Sequence, residues 1–240
     1  MSTIDQNLQA VHDSIVSATH EAGRAPDAVA LLAVSKTFGP EAVLEAARAG
    51  QRAFGENYLQ EALEKIAALA AAWTGAALEW HFIGPIQSNK TRPIAQHFDW
   101  VHTVEREKVA QRLSEQRPAG MAPLNICLQV NISGEASKSG VAPAELAALA
   151  LRVAALPNLR LRGLMAIPEP ADSFERQRAA FCRLRLLYEQ LRAGGLALDT
   201  LSMGMSADLR AAIVEGATIV RVGSAIFGTR TYPTNIVERT

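Results

Sequence analysis

Apolar positions along the chain switch repeatedly between short β-rich runs and longer stretches where they recur every three or four residues, which predicts alternating strands and helices. A leading helix carries Ile4, Leu8, Val11 and Ile15 on one face; Thr3 and Gln6 stand in capping-box spacing, and Gly23 and Pro26 end it. Ala30–Ser35 reads as the first strand, followed by a helix with Pro40 at its start and Gly50 at its end. Arg52–Gly55 is the second strand, before a helix with Leu59, Leu63, Ile66 and Ala70 on a common face. Leu78–Ile83 is the third, and the helix from Asn89 to His97 has its start confined, or its axis kinked, by Pro93. Trp100–Val104 and Leu124–Ile132 are the fourth and fifth strands, the first followed by a helix holding Val109 and Leu113, the second by one holding Leu146, Leu149, Val153 and Leu156. Leu159–Ile167 precedes a long helix from Ser173 to Arg192 that stops at Gly194 and Gly195. Leu198–Met203, a short helix from Ser206 to Glu215, and Thr218–Val222 complete the series.

Eight strands separated by helices in 240 residues predict an α/β fold of the (β/α)8 TIM-barrel type with an extra N-terminal helix. Such barrels run to roughly 250 residues. An open doubly wound sheet would show fewer strands and a glycine-rich phosphate fingerprint after the first one, where this chain has Val34-Ser35-Lys36-Thr37. Pro and Gly are spread over element ends instead of gathered in a linker, so residues 1–240 read as a single domain.

Composition removes several function classes. Lys plus Arg and Asp plus Glu each total 24, so no net field draws in nucleic acid or an anionic membrane. Two cysteines, Cys127 and Cys182, fit a reducing compartment better than a disulfide scaffold. The N-terminus shows no basic stretch before an apolar run, and no window reaches about eighteen strongly apolar residues, so cytoplasmic residence is the expectation. The five histidines lack metal-site spacing, and no G-x-S-x-G elbow is present.

In a barrel the reactive groups gather at the C-terminal strand ends. Of five lysines, Lys65 and Lys108 fall within helices and read as solvated, while Lys36 ends an apolar strand, where the chain must desolvate it, pair it or use it. A snorkelling rim lysine and a functional one are both compatible with that position. At an ordinary pKa of about 10.4, only about one amine in 2,500 is neutral at pH 7, so a carbonyl nucleophile needs that value lowered. The ends of the seventh and eighth strands, Ser202-Met203-Gly204-Met205-Ser206 and Arg221-Val222-Gly223-Ser224, occupy the usual phosphate position. Taken singly, Ser206 reads as a helix N-cap and Gly223 as a turn glycine. Together, with Arg221 beside them and Lys36 across the mouth, they favour a phosphate-plus-amine site. Asn57 reads as a helix cap and His81 as a hydrogen-bonded interior histidine.

The segments Leu32-Ala33-Val34-Ser35-Lys36-Thr37, Phe54-Gly55-Glu56-Asn57-Tyr58, His81-Phe82-Ile83-Gly84-Pro85-Ile86-Gln87-Ser88-Asn89-Lys90, Ser202 to Ser206 and Val220 to Gly228 stand in one order over nearly the whole length. In them the chain resembles the pyridoxal phosphate (PLP) homeostasis protein family, related in fold to the barrel domain of alanine racemase. The resemblance implies PLP held as a Schiff base on Lys36, with Ser206, Gly223 and Ser224 on its phosphate, Ser202 as a further phosphate candidate, and Asn57 in the cofactor-binding set. It implies Arg221 at the pyridine nitrogen, which keeps that nitrogen unprotonated and weakens the ring as an electron sink. Lys90 and Lys138 resemble family lysines that receive PLP in transit, although their residue-level reading is surface charge. After the eighth strand only about a dozen residues remain from Gly228 to Thr240, too few for the racemase's second domain, so two-base racemisation is not expected and a monomer is. The implied function is intracellular PLP (vitamin B6) homeostasis without a dedicated catalytic reaction, with PLP-dependent apoenzymes as possible recipients. The alternatives are a PLP-dependent racemase or lyase and, more distantly, a Schiff-base aldolase.

Overall fold

The computed structural model describes residues 2–133 and 139–229. Eight parallel strands close on themselves in sequence order: β1 (Ala30–Val34), β2 (Ala53–Glu56), β3 (Glu79–Phe82), β4 (Trp100–Val104), β5 (Leu124–Gln129), β6 (Leu159–Met165), β7 (Thr200–Ser202) and β8 (Ile219–Val222). Pairing of Ala30 with Ile219 and of Ala33 with Val222 makes the closing seam. The predicted TIM barrel is therefore the observed fold, and with β1 next to β8, Lys36 stands beside the Gly223 loop and not across the mouth from it.

Helices α1 (Thr3–Glu21), α2 (Pro40–Arg48), α3 (Leu59–Ala72), α4 (Thr91–His97), α5 (Glu107–Gln116), α6 (Pro143–Ala154), α7 (Phe174–Ala193), α8 (Leu209–Val214) and α9 (Ser224–Phe227) surround the strands. Their apolar stripes pack on the outer strand faces in one continuous core that includes Phe54, Phe98, Ile126, Leu164 and Phe181. The extra helix α1 buries Leu8, Val11 and Ile15 and lies on α8 and α9, where Asn7 donates to the Ile226 carbonyl at 2.9 Å. No described helix is long and apolar enough to cross a membrane.

Local chemistry moves several boundaries. Ser2, not Thr3, caps α1, its hydroxyl accepting from the Asp5 N–H at 3.3 Å. Pro93 falls within the first turn of α4, where N–H groups lack intrahelical partners anyway, so it confines the start without a break. The fifth strand ends at Gln129, after which Val130 pairs in isolation with Val141. Asp208, not Ser206, is the N-cap residue of α8, and its carboxylate accepts from the Met205 N–H at 2.6 Å, closing the turn that carries Ser206.

Inside the barrel, Leu32, Ile83, Trp100, Cys127, Met165 and Ile219 form a separate small apolar cluster. The rest of the interior includes four buried polar groups: His81, His102, Ser202 and Arg221. Barrel centres are ordinarily filled by branched aliphatics, so polar side chains there are costly unless each finds a partner.

Candidate functional site

The C-terminal strand ends enclose a cavity of about 310 Å³ lined by Val34, Lys36, Asn57, Ile83, Ile167, Met205, Ser206, Ala207, Arg221, Gly223 and Ser224. That size is at the small end of ordinary ligand sites. Six of the seven residues singled out from the sequence meet here. Ser202 is the exception: it is fully buried below the cavity floor, and its Oγ lies 2.8 Å from both His102 Nδ1 and Arg221 Nη1.

Lys36 follows β1 in a turn closed by the Phe38 N–H donating to the Ser35 carbonyl at 3.1 Å. Thr37 adopts φ 71°, a left-handed conformation that a β-branched residue rarely takes. A polar cluster reaching from the surface to the buried Glu56 and Lys65 holds it there. The Thr37 N–H donates to Glu61 Oε1 at 2.6 Å, and Lys65 Nζ donates to Glu61, to Glu56 Oε1 at 2.8 Å and to the Ser35 carbonyl at 2.7 Å. The Ser35 hydroxyl adds a 2.6 Å bond to Glu56 Oε1. Lys65 is thus not a solvated helix residue, as its position in the sequence suggests; it is 2% exposed and bridges two carboxylates beneath the Lys36 turn. Burial pushes the Glu56 carboxyl upward against the pull of Lys65. Periodicity on α3 places Lys65 on the helix face toward β2, a signal that its charge obscures.

Arg221 forms part of the cavity floor. It is buried, donating from Nη1 to Ser202 Oγ and from Nη2 to the Ala166 carbonyl at 3.0 Å, both neutral acceptors. Desolvation lowers its pKa to about 10, opposed by Asp208 and Cys127, so the guanidinium stays charged at neutral pH. Cys127 is itself held as a thiol, its pKa pushed by burial to about 12. The buried cation therefore offers an electrostatic subsite for an anion or an electron pair.

Asn57 caps nothing: Tyr58 is the boundary residue of α3, and the buried Asn57 Oδ1 has no partner. An unmatched buried acceptor beside a cavity suits a ligand donor. At Gly223 a Cβ would stand 3.1 Å from the Val34 carbonyl, so the residue lets the β8 loop lie against the end of β1. Ser206 and Ser224 are exposed at the rim. An amine, a buried cation, an orphaned acceptor and two rim hydroxyls fit a small phosphorylated aldehyde such as PLP.

His81 is the interior, hydrogen-bonded histidine the sequence suggested, and His102, which the sequence reading left unassigned, is its partner at 2.9 Å. Lys90 is exposed beside a neighbouring cavity with Asn57, Tyr58 and Gln87. Lys138 lies outside the described residues. Among the described residues, no group of three His, Cys, Asp or Glu is placed to hold a metal ion.

The chain is similar to several known proteins. Residues 7–231 match the family described as alanine racemase, N-terminal domain. A pyridoxal phosphate homeostasis protein of Pseudomonas aeruginosa is 65% identical over 232 residues, 97% of this chain and 98% of that protein. The solved structure of PipY from Synechococcus elongatus with PLP bound superposes with a TM-score of 0.81 at 36% identity, covering 94% of this chain and 100% of that one. Alanine racemase from Corynebacterium glutamicum, at 20% identity, shares the fold with a TM-score of 0.65 over 97% of this chain and 62% of its own. With a full-length relative at that level of identity and the barrel closed as described, this chain belongs to the pyridoxal phosphate homeostasis protein family.

Proposed function

We propose that this protein binds PLP at the C-terminal mouth of its barrel, as a Schiff base on Lys36, and serves in PLP homeostasis as a carrier without a dedicated reaction. One observation carries the reading: Lys36 and the buried, charged Arg221 line the same small cavity, alongside Asn57, Ser206, Gly223 and Ser224. Supporting it, the Pseudomonas aeruginosa relative is named for PLP homeostasis, and the PipY neighbour was solved with PLP.

Each residue has a task in this reading. Lys36 would hold the ligand's aldehyde carbon through Nζ, once its ammonium has given up a proton to solvent. Ser206 and Ser224 offer hydroxyl donors to the phosphate, and Gly223 leaves room for its backbone to approach. Asn57 Oδ1 accepts from a donor on the ligand. Arg221, unable to accept a proton, would stand as a donor to the pyridine nitrogen, which would favour its unprotonated form. A bound PLP supplies an electrophilic aldehyde and a ring that can delocalise charge, and an unprotonated nitrogen weakens the second property. The reading is of binding without turnover, in the cytoplasm, with PLP-dependent apoenzymes as recipients and the chain acting as a monomer.

Absorbance of the purified protein tests the reading. A visible band that disappears in Lys36→Ala is the expected result; a colourless protein that PLP cannot reconstitute contradicts it. Against a racemase, amino acids incubated with the loaded protein in deuterated solvent should show no α-proton exchange at an enzyme-like rate. Such exchange, if abolished by Lys36→Ala, would overturn the non-catalytic assignment.

A further inference from the structure

The buried polar groups inside the barrel are in line. Glu79 Oε1 lies 2.7 Å from His81 Nε2, His81 Nδ1 lies 2.9 Å from His102 Nε2, His102 Nδ1 lies 2.8 Å from Ser202 Oγ, and Ser202 Oγ lies 2.8 Å from Arg221 Nη1. His81, His102, Ser202 and Arg221 are buried, whereas Glu79 is half-exposed in a cavity of about 360 Å³ at the opposite, N-terminal mouth, beside Asp27 and Arg162. The contacts run from the floor of the candidate PLP site through the barrel to its other end.

The two ends set the direction. A guanidinium only donates and an ionised carboxylate only accepts. With both imidazoles neutral, one arrangement satisfies every contact. Arg221 donates to Ser202 Oγ, the Ser202 hydroxyl donates to His102 Nδ1, His102 Nε2–H donates to His81 Nδ1, and His81 Nε2–H donates to Glu79. Burial, with the nearby Arg221, holds the His102 pKa well below the ordinary imidazole value, which favours the neutral ring this arrangement needs. The His81 hydrogen bond holds the Glu79 carboxyl below its usual range. Each acceptor in the chain faces Arg221 and each donor faces Glu79, so the bond dipoles add and polarise one another. Because Arg221 does not release its proton at neutral pH, the chain carries orientation and polarisation and does not conduct protons.

We propose that Glu79, His81, His102 and Ser202 form a one-way hydrogen-bond relay that positions Arg221 from the far mouth of the barrel. Resting on the PLP reading above, this makes Glu79 and the two histidines positioning residues for a coenzyme they do not touch. The relay also accounts for Ser202: its oxygen is committed to Arg221 and His102, so its contribution to the site is exerted through the guanidinium.

Nitrogen NMR of ¹⁵N-histidine-labelled, ligand-free protein at pH 7 tests the relay without PLP. The expected spectrum has His81 and His102 both neutral with the proton on Nε2, and Ser202→Ala shifts the ring nitrogens of both. A proton on His102 Nδ1, or a charged His81, would reverse an arrow and overturn the proposal. In the PLP-loaded protein, Glu79→Gln should move the visible maximum and weaken PLP binding roughly fivefold. Asp27→Asn, at the same mouth but outside the chain of contacts, should change neither. A Glu79→Gln protein matching the parent in both overturns the long-range effect. If the parent protein shows no visible band, the PLP reading fails, and the histidine tautomers still decide the relay.

Discussion

Lys65 bonds the Ser35 carbonyl next to Lys36, yet the two lysines have different surroundings. Lys65 has its charge matched by the buried Glu56 and the half-buried Glu61, and Lys36 lines the cavity. The strand-end position of Lys36 was visible in the sequence because an amine after an apolar run is conspicuous. Lys65 was not, because a lysine inside a helix ordinarily points to water and only the tertiary contacts show otherwise. At the same mouth, the pairing of Ser206 with Gly223 carries the phosphate claim: Ser206→Ala combined with Gly223→Ala should weaken PLP binding about tenfold or more while pyridoxal, which lacks the phosphate, loses much less. Equal losses for both ligands would remove the phosphate from that loop pair. His102 gives a pH prediction. The unfolded chain takes up a proton near pH 6.5 that the folded one, with its depressed His102, refuses, so stability is lost as pH falls below that value. Urea melts between pH 7 and 5 should show this loss with a slope of up to about 1.4 kcal/mol per pH unit, absent from His102→Gln. Identical slopes would contradict it.

The elements that position the site are short turns whose chemistry differs from what spacing suggests. After β1, strain at Thr37 is balanced by Glu61 and Lys65 from α3, so one strand and the second helix after it jointly place the Lys36 turn. Breaking that cluster from one side should be severe. Lys65→Met leaves the Glu56 carboxylate buried without its cation and should cost about 3–5 kcal/mol, whereas Lys65→Met with Glu56→Gln recovers most of the loss. Chemical denaturation of the parent, the single variants and the double variant checks this cycle, and a Lys65→Met protein as stable as its parent would refute the account. After β7, the helix starts later than spacing suggests: Asp208 is the boundary residue of α8, and its carboxylate turns back to the Met205 N–H instead of capping the helix. Serine at position 206 reads as a helix cap from spacing, but it lies in the turn which that backward bond closes, exposed at the rim.

At the scale of the whole molecule, the alternation of periods was sufficient to specify the barrel, since eight β-rich runs separated by helices leave few other ways to bury both faces of each strand. The strand order and closing seam follow from that topology. The interior was harder to foresee. His81, His102, Ser202 and Arg221 come from four strands and are far apart in sequence, so only the closed barrel brings them into line. Their polarity also broke the apolar pattern on which the strands were recognised. That conflict between local pattern and burial is what a functional interior looks like in sequence. The central claim remains the covalent attachment of PLP at the end of the first strand. Borohydride reduction of the PLP-loaded protein, followed by peptide mass mapping, tests it most directly. The account predicts one stable pyridoxyl adduct on the peptide containing Lys36, lost in Lys36→Ala; an adduct carried mainly by another lysine, or none at all, would contradict it.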